Sequence, residues 1–519
     1  MNYSSPRDFA AAALDRALDR PDLLIDHGDL PATMRALRAL IAARAERVFD
    51  RGRPVRVYAP PGEPVRIVPL THNNVCEIAH EVCRPVKQND KKPLPEATTL
   101  PERVAKMYLD CNEYNLLPLD GVSRSPLLAD DGTIRAAEGY DAASRLWCEA
   151  IPSVPVPDRP TRHDAASALR LIRATFATFP FADAPRITAY DLDLVDIDQP
   201  PGDAETALIA GIMTAICRPS LWLAPGLLIT APDVSGAGSG KGLLVHALCE
   251  IAYGAPPVAF TAGHDKAELD KRLTSELMQA GPALFVDNVN STALKSDILA
   301  SVITERPTRA RIFGETRMAP LNSTAWIAVT GNGLSVSEDL ARRFLACELD
   351  TKCDDPEARD FPDGRDGFLA KIKAQRSDLL TAALTIWRWG RQNEGELTRG
   401  KPFGSFETWA RWVRDPLLSL GCADPVEAIA RAKARDPRRL RLVELFETWW
   451  EAHHNLPMTA ATLDENVKLI IDPQSRGRQY LVTALGAHVG TRAAGFVLTR
   501  SEPSGKWGHS TYALKKVEQ

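Results

Sequence analysis

The middle of the chain alternates between short apolar runs and longer stretches in which apolar residues recur every three or four positions. Three runs have the length of buried strands, at 221–229, 283–288 and 325–332, and the last two end in polar residues. The first is followed by a glycine-rich turn and by a helical pattern over Leu243–Tyr253. Buried strands that alternate with helices are typical of α/β domains. The pattern therefore predicts an α/β core in the centre of the chain.

The N-terminal flank has two different patterns. Residues 7–47 have helical spacing, whereas Pro54–Tyr58 and Pro64–Val68 alternate as an antiparallel hairpin does, with Arg56 and Arg66 between the apolar positions. A basic face of this kind is consistent with DNA contact and equally with simple solvation.

The C-terminal flank is helical in pattern after Trp409 to about 454, and a helix over 479–489 then precedes two strand-like runs. Helix, strand, polar tip and strand form the ending of a winged helix. A small protein-docking domain is the alternative interpretation.

A glycine-rich turn at Asp233–Leu244 holds the most informative residues. Such a turn between a strand and a helix directs backbone N–H groups and the positive helix end at one point, where phosphate binds. Gly240 and Lys241 fit the phosphate-loop pattern G-x-x-x-x-G-K-[ST], whereas Ser235 replaces its first glycine and Gly242 its magnesium-binding hydroxyl. Taken alone, a tight turn with a surface lysine is the alternative. The predicted nucleotide contacts are Ser235, Gly236, Ala237, Gly238, Ser239, Gly240, Lys241 and Gly242.

The ends of the other two apolar runs supply further polar groups. Asp287 is predicted to hold Mg²⁺, directly or through water, as the carboxylate of a Walker B strand does. Asn288 follows it, where many hydrolases have a glutamate that activates water, and Glu276 and Glu305 are possible substitutes. Asn332 ends the later strand and is predicted to orient the attacking water.

A pair of arginines, Arg342 and Arg343, follows this last strand. Arginines in this place suit a finger that stabilises charge on the γ-phosphate bound by a neighbouring subunit. A solvated basic pair is the alternative. A finger that acts in trans requires adjacent protomers, so the motif predicts a ring.

Composition and charge narrow the class of protein. No apolar run in the 519 residues approaches the ~20 needed to span a bilayer, and the N-terminus lacks the pattern of a signal peptide. The nine cysteines are scattered without a zinc-ligand pair, which favours reduced thiols and a cytoplasmic location. The net charge of −4 gives no basic field overall. Basic residues nevertheless outnumber acidic ones after position 465, which makes this end the better candidate for nucleic-acid contact.

With these motifs assembled, the chain resembles the replicative ATPases of bacteriophages, plasmids and integrative elements, which are AAA+-related and similar to superfamily three helicases. The resemblance covers most of the chain from about position 45. Its residues are Ser235–Leu244, Val286–Asn288, Thr330–Asn332, Asp339–Arg343, Gly404–Trp409 and the series Pro126–Leu128, Asp131–Ile134 and Gly139–Asp141.

The resemblance implies a ring-forming, ATP-driven DNA helicase or translocase with ATP and Mg²⁺ as its cofactors. A homo-oligomeric ring, with a hexamer as the expected form, would act on single- and double-stranded DNA. Proteins of this family are often fused to a primase or encoded beside one, so a primase partner is a possibility. This sequence itself has neither the zinc-ribbon cysteines nor an obvious pair of catalytic aspartates that would mark a primase.

Two groups of basic residues are predicted to contact DNA. Arg306, Arg309 and Arg311 lie between the Walker B and sensor strands, where a loop lines the pore in this class of protein; a structural turn with solvated arginines is the alternative. In the C-terminal region the predicted phosphate contacts are Arg500, Lys506 and Lys515.

The predicted domains follow from these assignments and from the proline-dense stretch Ile151–Pro160. They are an N-terminal α+β region at 1–150, a linker at 151–165, a P-loop ATPase domain at 166–395, a helical region at 396–465 and a winged-helix-like domain at 466–519. Two rival functions remain open. One is an ATP-gated protein that binds or melts an origin with little hydrolysis, and the other is a defence or signalling ATPase whose C-terminal domain docks protein.

Overall fold

The computed structural model describes the chain except for residues 1–19, 61–64, 90–91, 190–191, 234–235, 264–265, 291–292, 312–317, 337, 354–355, 357–360, 435–436, 502–509 and 518–519. The chain divides into two compact units, 1–425 and 426–519. This division is coarser than the five predicted segments, whose inner boundaries stay predictions.

The first part of the larger unit is a mixture of small sheets and three helices. Helices α1 to α3 share one apolar core that includes Ile41, Val75 and Tyr108. Strands β3 and β4 pair antiparallel, which confirms the predicted hairpin in the described residues. Of the helical stretch predicted over 7–47, residues 7–19 lie outside the described residues and α1 confirms the part from Leu30. Before α1, β1 is a strand that pairs in parallel with β5. The helices are α1 (Leu30–Arg44), α2 (His72–Val82) and α3 (Glu102–Leu109). The strands are β1 (Asp22–Leu24), β2 (Val48–Asp50), β3 (Pro54–Tyr58), β4 (Arg66–Pro69), β5 (Arg84–Lys87), β6 (Glu96–Ala97), β7 (Gly121–Ser123), β8 (Leu127–Leu128), β9 (Ile134–Arg135), β10 (Gly139–Asp141) and β11 (Leu146–Cys148).

The centre of the larger unit is a five-stranded parallel sheet with the strand order β15-β16-β20-β14-β22. This confirms the predicted α/β core. Strand β14 lies between β20 and β22, so the chain leaves it and crosses to the far edge of the sheet before it returns. Ligands of parallel sheets bind at the carboxyl ends of the strands beside such a reversal in strand order. The strands of this part are β12 (Arg186–Ala189), β13 (Leu192–Val195), β14 (Gly226–Ala231), β15 (Ala259–Thr261), β16 (Ala283–Asp287), β17 (Ala293–Leu294), β18 (Thr308–Arg311), β19 (Met318–Leu321), β20 (Trp326–Asn332), β21 (Ser335–Val336) and β22 (Phe344–Glu348).

Helices cover the sheet and begin where the sequence predicts them. Thr161 and Asp164 form a capping box that starts α4, and the mostly apolar α5 is buried along nearly its whole length. The stretch from Gly364 to Gln392 forms two consecutive helices that meet at Gln375. The helices of this part are α4 (Arg162–Thr175), α5 (Asp203–Cys217), α6 (Lys241–Tyr253), α7 (Lys266–Gln279), α8 (Asp297–Thr304), α9 (Glu338–Ala341), α10 (Gly364–Ala374), α11 (Arg376–Gln392), α12 (Glu407–Trp409) and α13 (Asp415–Ser419), with a π-helical turn at Ala410–Arg414 and 3₁₀ turns at Arg218–Ser220 and Glu394–Glu396.

Asp130, in the turn between β8 and β9, joins the early part of this unit to its last helices. Its carboxylate accepts a hydrogen bond from Trp412 Nε1 at 2.8 Å, and its carbonyl accepts one from Arg391 Nε at 3.1 Å. The proline-dense stretch is also tied to α11, because Gln392 Nε2 donates to the Asp158 carbonyl at 2.7 Å. These bonds hold the segments before and after 151–160 in one compact unit.

The smaller unit is helical and ends in a three-stranded antiparallel sheet, β23-β24-β25. Its core includes Phe446, Trp449, Leu485 and Leu514. The order of helix and strands agrees with the predicted ending, while the winged-helix assignment stays a prediction. The helices are α14 (Pro425–Ala434), α15 (Pro437–His453), α16 (Glu465–Ile471) and α17 (Arg478–His488), and the strands are β23 (Arg492–Ala493), β24 (Phe496–Ser501) and β25 (Thr511–Lys516). In neither unit does a described helix combine the length and apolar character that crossing a membrane requires.

Candidate functional site

The glycine-rich turn connects β14 to α6 and is shaped by glycines. Gly238 and Gly240 have φ angles of 73° and 94°, and Gly240 caps the N-terminus of α6 in the left-handed region. A Cβ on Gly236 would overlap the carbonyl oxygen of Pro232, so only glycine fits there. The turn therefore presents backbone N–H groups and the positive end of α6 at the carboxyl edge of the sheet, as phosphate binding requires. Ser235 lies outside the described residues.

Lys241, the first residue of α6, bends back over this turn. Its Nζ donates to the Gly236 carbonyl at 2.6 Å and to Ser239 Oγ at 3.1 Å. Burial lowers the pKa of Lys241, and the negative charge of Asp287 opposes that shift. The ammonium is thus held inside the turn and within electrostatic reach of the predicted metal ligand.

Asp287 ends β16, one strand away from the turn across β20. Thr330 Oγ1 and the backbone N–H of Asn288 both donate to its Oδ1, the latter at 2.9 Å. No described residue donates a hydrogen bond to its Oδ2, which leaves an oxygen for a cation. Asn288 has a φ of 59°, a left-handed conformation that asparagine tolerates better than most residues. That conformation gives a backbone reason for asparagine where a glutamate was expected.

Asn332 ends β20 between the turn and Asp287. Its backbone N–H donates to Asn290 Oδ1 at 2.8 Å, which fixes the end of the strand. Its side-chain Oδ1 is buried without a hydrogen-bond partner and lies beside Gly236. An amide held in this way can exchange hydrogen bonds with a phosphate or a water molecule at the turn.

These groups line one cavity of about 600 Å³, a volume in the usual range for small-molecule sites. Among the predicted contacts, it brings together Ala237, Gly238, Gly240, Lys241, Gly242, Asp287, Asn288 and Asn332. The lining residues that sequence reasoning missed are Phe179, Leu243, Asn290, Pro356, Phe361, Gly364 and Arg365.

The missed residues add an aromatic wall and a second cation. The rings of Phe179 and Phe361 lie 5.5 Å apart, and both pack edge-on against Phe368 of α10. Arg365, at the start of α10, contributes to the low pKa of His246, for which burial is the larger cause. Phe361 and Arg365 belong to no local motif, since both lie more than a hundred positions after the glycine-rich turn.

The cavity suits a Mg²⁺ ion that is held jointly by one protein carboxylate, water and phosphate oxygens, and not one enclosed by protein ligands alone. Asp287 is the one carboxylate that lines it among the described residues, and no described group of three or more potential metal ligands occurs. No described atom lies within 4 Å of the place that a Cβ on Gly242 would occupy. No neighbouring hydroxyl of the described residues therefore stands in for the serine or threonine that is missing at this position. Mg²⁺ commonly binds through one or two carboxylates plus water and phosphate oxygens, which this arrangement permits. Glu276 and Glu305, the possible substitute bases, do not line the cavity.

The two predicted finger arginines differ in their surroundings. The Arg343 side chain is 16% exposed; its guanidinium donates to Thr304 Oγ1 at 2.6 Å and to the Ala300 carbonyl, and pairs with Asp339 at 3.0 Å. Arg342 also contacts Asp339, but its side chain is 63% exposed. Arg343 therefore clamps the end of α8, and Arg342 is the better placed of the two to meet a neighbouring subunit.

The three arginines predicted for a pore loop lie on and before an antiparallel hairpin of β18 and β19. Arg306 is 7% exposed and pairs with Asp120 at 3.3 Å, so it anchors the base of the hairpin. Its guanidinium is held in this ion pair, and its contact with DNA stays a prediction. Arg309 is exposed on β18; Arg311 ends that strand, and its side chain is outside the described part.

In the smaller unit, the predicted basic residues lie on the terminal strands. Arg500 of β24 donates to Ser510 Oγ at 3.0 Å and is exposed, as is Lys515 of β25. Lys506 lies outside the described residues.

Neither a protein-family model nor a curated protein matches the chain. Two solved structures to which it is similar are helicases. A JCV helicase has 18% identity and a TM-score of 0.23, over 45% of this chain and 59% of that one. An SCCmec type IV Cch helicase has 10% identity and a TM-score of 0.29, over 90% of this chain and 91% of that one. TM-scores of this size carry no argument about function, which has to rest on the site itself.

Proposed function

We propose that this protein is an ATP-dependent DNA helicase or translocase that serves the replication of a mobile genetic element. The observation that carries the proposal is the convergence of Lys241, Asp287 and Asn332 on one cavity at the carboxyl edge of a single parallel sheet. A lysine in a glycine-rich turn, a carboxylate and an amide are the groups that polyphosphate binding and hydrolysis need.

The residues divide the work on ATP among them. The N–H groups of the turn and Lys241 hold the phosphates, and Arg365 adds positive charge on the opposite wall of the cavity. Asn332 orients the attacking water. Mg²⁺ held at Asp287 would neutralise charge on the phosphate oxygens. The aromatic wall of Phe179 and Phe361 excludes water from the side of the cavity.

DNA is the proposed second ligand, and a homo-oligomeric ring is the proposed assembly. The exposed Arg309 on the β18–β19 hairpin and the basic terminal strands of the smaller unit support DNA binding. The exposed Arg342 supports an arginine supplied to the nucleotide of the next protomer. A cytoplasmic location and a primase partner are part of the same proposal and rest on the family resemblance.

The direct test is Lys241→Ala in the full-length protein. We expect the variant to fold, since glycine backbone geometry shapes the turn, and to lose ATP binding and DNA-stimulated hydrolysis. Lys373→Ala, at an exposed position of α10 outside the cavity, is the matched control and should behave as the wild type. A folded Lys241→Ala protein with wild-type hydrolysis would remove the phosphate-site assignment.

A second candidate function is an ATP-gated protein that binds or melts an origin with little turnover. Gly242 and the left-handed Asn288 favour it, because the usual hydroxyl and glutamate are replaced. A single-turnover measurement of bound ATP separates the two: complete conversion supports the translocase, and stable retention of ATP on DNA supports the gated binder. A protein-docking role for the smaller unit predicts instead that DNA binding is absent or independent of salt.

A further inference from the structure

A second cavity, of about 590 Å³, lies at the opposite edge of the central sheet. Trp222 and Asn322 both line it, and each precedes an adjacent parallel strand, β14 or β20, by four residues. The cavity is therefore at the amino ends of the strands, whereas the turn with Lys241 follows the carboxyl end of β14. Six residues of extended strand separate the two ends by roughly 20 Å.

Trp222 gives this cavity an exposed aromatic face. Its side chain is 58% exposed, which makes it the most exposed tryptophan in the described part of the chain. The guanidinium of Arg306 lies 4.8 Å from the centre of the ring and covers one side of it. A flat ring that is held on one side and open on the other is suited to stack a base.

Arg306 is fixed in this position by a buried network. It pairs with Asp120, whose other carboxylate oxygen accepts a hydrogen bond from Asn322 Nδ2 at 3.1 Å. Its Nε is buried without a hydrogen-bond partner. The ring of Trp222 is thus supported by a preorganised guanidinium and not by a mobile surface side chain.

Positive charge exceeds negative charge around the cavity. Three arginines line it, Arg135, Arg145 and Arg306, against one described carboxylate, that of Asp120. Arg135 pairs with Asp141 at 3.1 Å, while the exposed Arg145 has no ion pair with any described carboxylate. Burial lowers the pKa of Arg306, and the nearby charge of Arg145 adds to that effect. A bound anion would relieve this repulsion.

We propose that this cavity binds one nucleotide unit of single-stranded DNA, with its base stacked on Trp222 and its phosphate at Arg145. The proposal rests on the proposed function and adds a second place where the strand is held. A strand is favoured over a free nucleotide because the cavity lies at the base of the β18–β19 hairpin. Pro307 and Asn322 flank that base and line the cavity, and Arg309 continues the positive charge along β18.

The test compares four full-length proteins in their affinity for oligo-dT: wild type, Trp222→Ala, Trp222→Phe and Tyr58→Ala. Tyr58 is the matched control, because it is also an exposed ring beside an arginine, Arg66 at 5.8 Å, but lies outside the cavity. Loss of one stacked base should weaken binding by about 5- to 150-fold in Trp222→Ala. Trp222→Phe should retain most of the affinity, and Tyr58→Ala should match the wild type.

Tryptophan fluorescence gives a readout that does not depend on activity. Oligo-dT should quench the wild-type emission, and the quenching should be largely lost in Trp222→Phe although that variant still binds. Arg145→Ala should reduce the slope of log affinity against log salt by roughly 0.7, the value for one phosphate on a single strand. ATP binding should be unchanged in all these variants.

The outcomes separate this inference from the proposed function. Wild-type affinity and quenching in the Trp222 variants, in a protein that binds DNA and hydrolyses ATP, would overturn the inference alone. So would an equal loss in Tyr58→Ala, or quenching by dTMP at the same concentration as by oligo-dT. A wild-type protein that neither binds DNA nor hydrolyses ATP would instead overturn the proposed function.

Discussion

Gly242 occupies the second position of α6, where phosphate-loop proteins commonly have a hydroxyl residue. An added side chain would meet no atom within 4 Å. The glycine is therefore not required by packing, and the position can accept the hydroxyl that the sequence lacks.

We expect Gly242→Thr to lower the Mg²⁺ concentration needed for half-maximal hydrolysis. If the added hydroxyl contributes about 0.5–1.5 kcal/mol to the free energy of Mg²⁺ binding, this concentration should fall by about 2- to 12-fold. Gly242→Val is the control, since valine has the shape and nearly the helix propensity of threonine but no hydroxyl. An identical Mg²⁺ dependence in both variants would mean that this position does not face the ion.

Lys241 predicts a pH dependence with a definite sign. Burial lowers its pKa, so the ammonium loses its proton at a lower pH than a free lysine, whose pKa is about 10.4. Affinity for ATP should therefore be constant near neutral pH and decline as pH rises through the lowered pKa. Lys241→Arg should give a flat profile, because a guanidinium stays protonated. ATP titrations across the alkaline range, with circular dichroism to follow folding, test this; a parallel decline in both proteins would contradict it.

At the scale of single residues, sequence reasoning found the groups that belong to a local pattern. Asp287 and Asn332 each lie at the end of an apolar run, and Lys241 follows the glycine-rich turn after a third run. The carboxyl ends of parallel strands meet at one edge. Phe361 and Arg365 were missed because a distant helix brings them to the cavity, and no spacing in the sequence encodes that contact. The partners of Arg306, Asp120 and Trp222, are also distant in sequence, so its buried position could not be predicted from the pattern.

Two short elements, α9 and β22, carry the arginine pair at their junction. Arg343 bonds to Ala300 and Thr304 in the last turn of α8, while Arg342 projects outward. The two neighbours in sequence therefore have separate tasks, one within the subunit and one available to another subunit.

We expect Arg342→Ala to retain ATP binding and to lose about 10³- to 10⁵-fold in turnover, as expected for a finger in trans. Arg343→Ala should instead lower the free energy of unfolding by about 1–3 kcal/mol, because buried partners lose their donor. A mixing titration of Arg342→Ala with Lys241→Ala should restore part of the activity, since some interfaces then combine an intact lysine with an intact arginine. No recovery at any ratio, in subunits shown to exchange, would contradict a finger in trans.

The elements themselves were predictable to different degrees. Strands β14, β16 and β20 are long apolar runs and were found, whereas β15 has three largely exposed residues and gives no signal. The strand order depends on long-range pairing and cannot be obtained from periodicity alone.

At the scale of the whole molecule, the proposed sites for ATP and for duplex DNA lie in different parts of the chain. The nucleotide cavity belongs to unit 1–425, and the basic terminal strands belong to unit 426–519. ATP binding and the binding of duplex DNA should therefore respond to separate substitutions.

Reversal of Arg500 and Lys515 to Glu should weaken duplex DNA binding and reduce its salt dependence. Each lost phosphate contact should change the slope of log affinity against log salt by roughly 0.9. Reversal of Lys271 and Lys373, exposed positions of the larger unit, makes the same change in net charge and is the control. Equal effects from both double variants would show that net charge alone is responsible, and an unchanged slope would favour protein docking by this unit.

The hydrogen bonds of Asp130 to Arg391 and Trp412 limit which segments of the gene can be exchanged by recombination. A recombination event within residues 151–160 would join an early segment from one lineage to late helices from another. The new pair would meet without having been selected together, and a poor match at Asp130 would remove one ion pair of the buried Arg391 and leave that with Glu394. The segments around 130 and 391–412 are therefore expected to be inherited as one block, even though more than 250 residues of sequence lie between them.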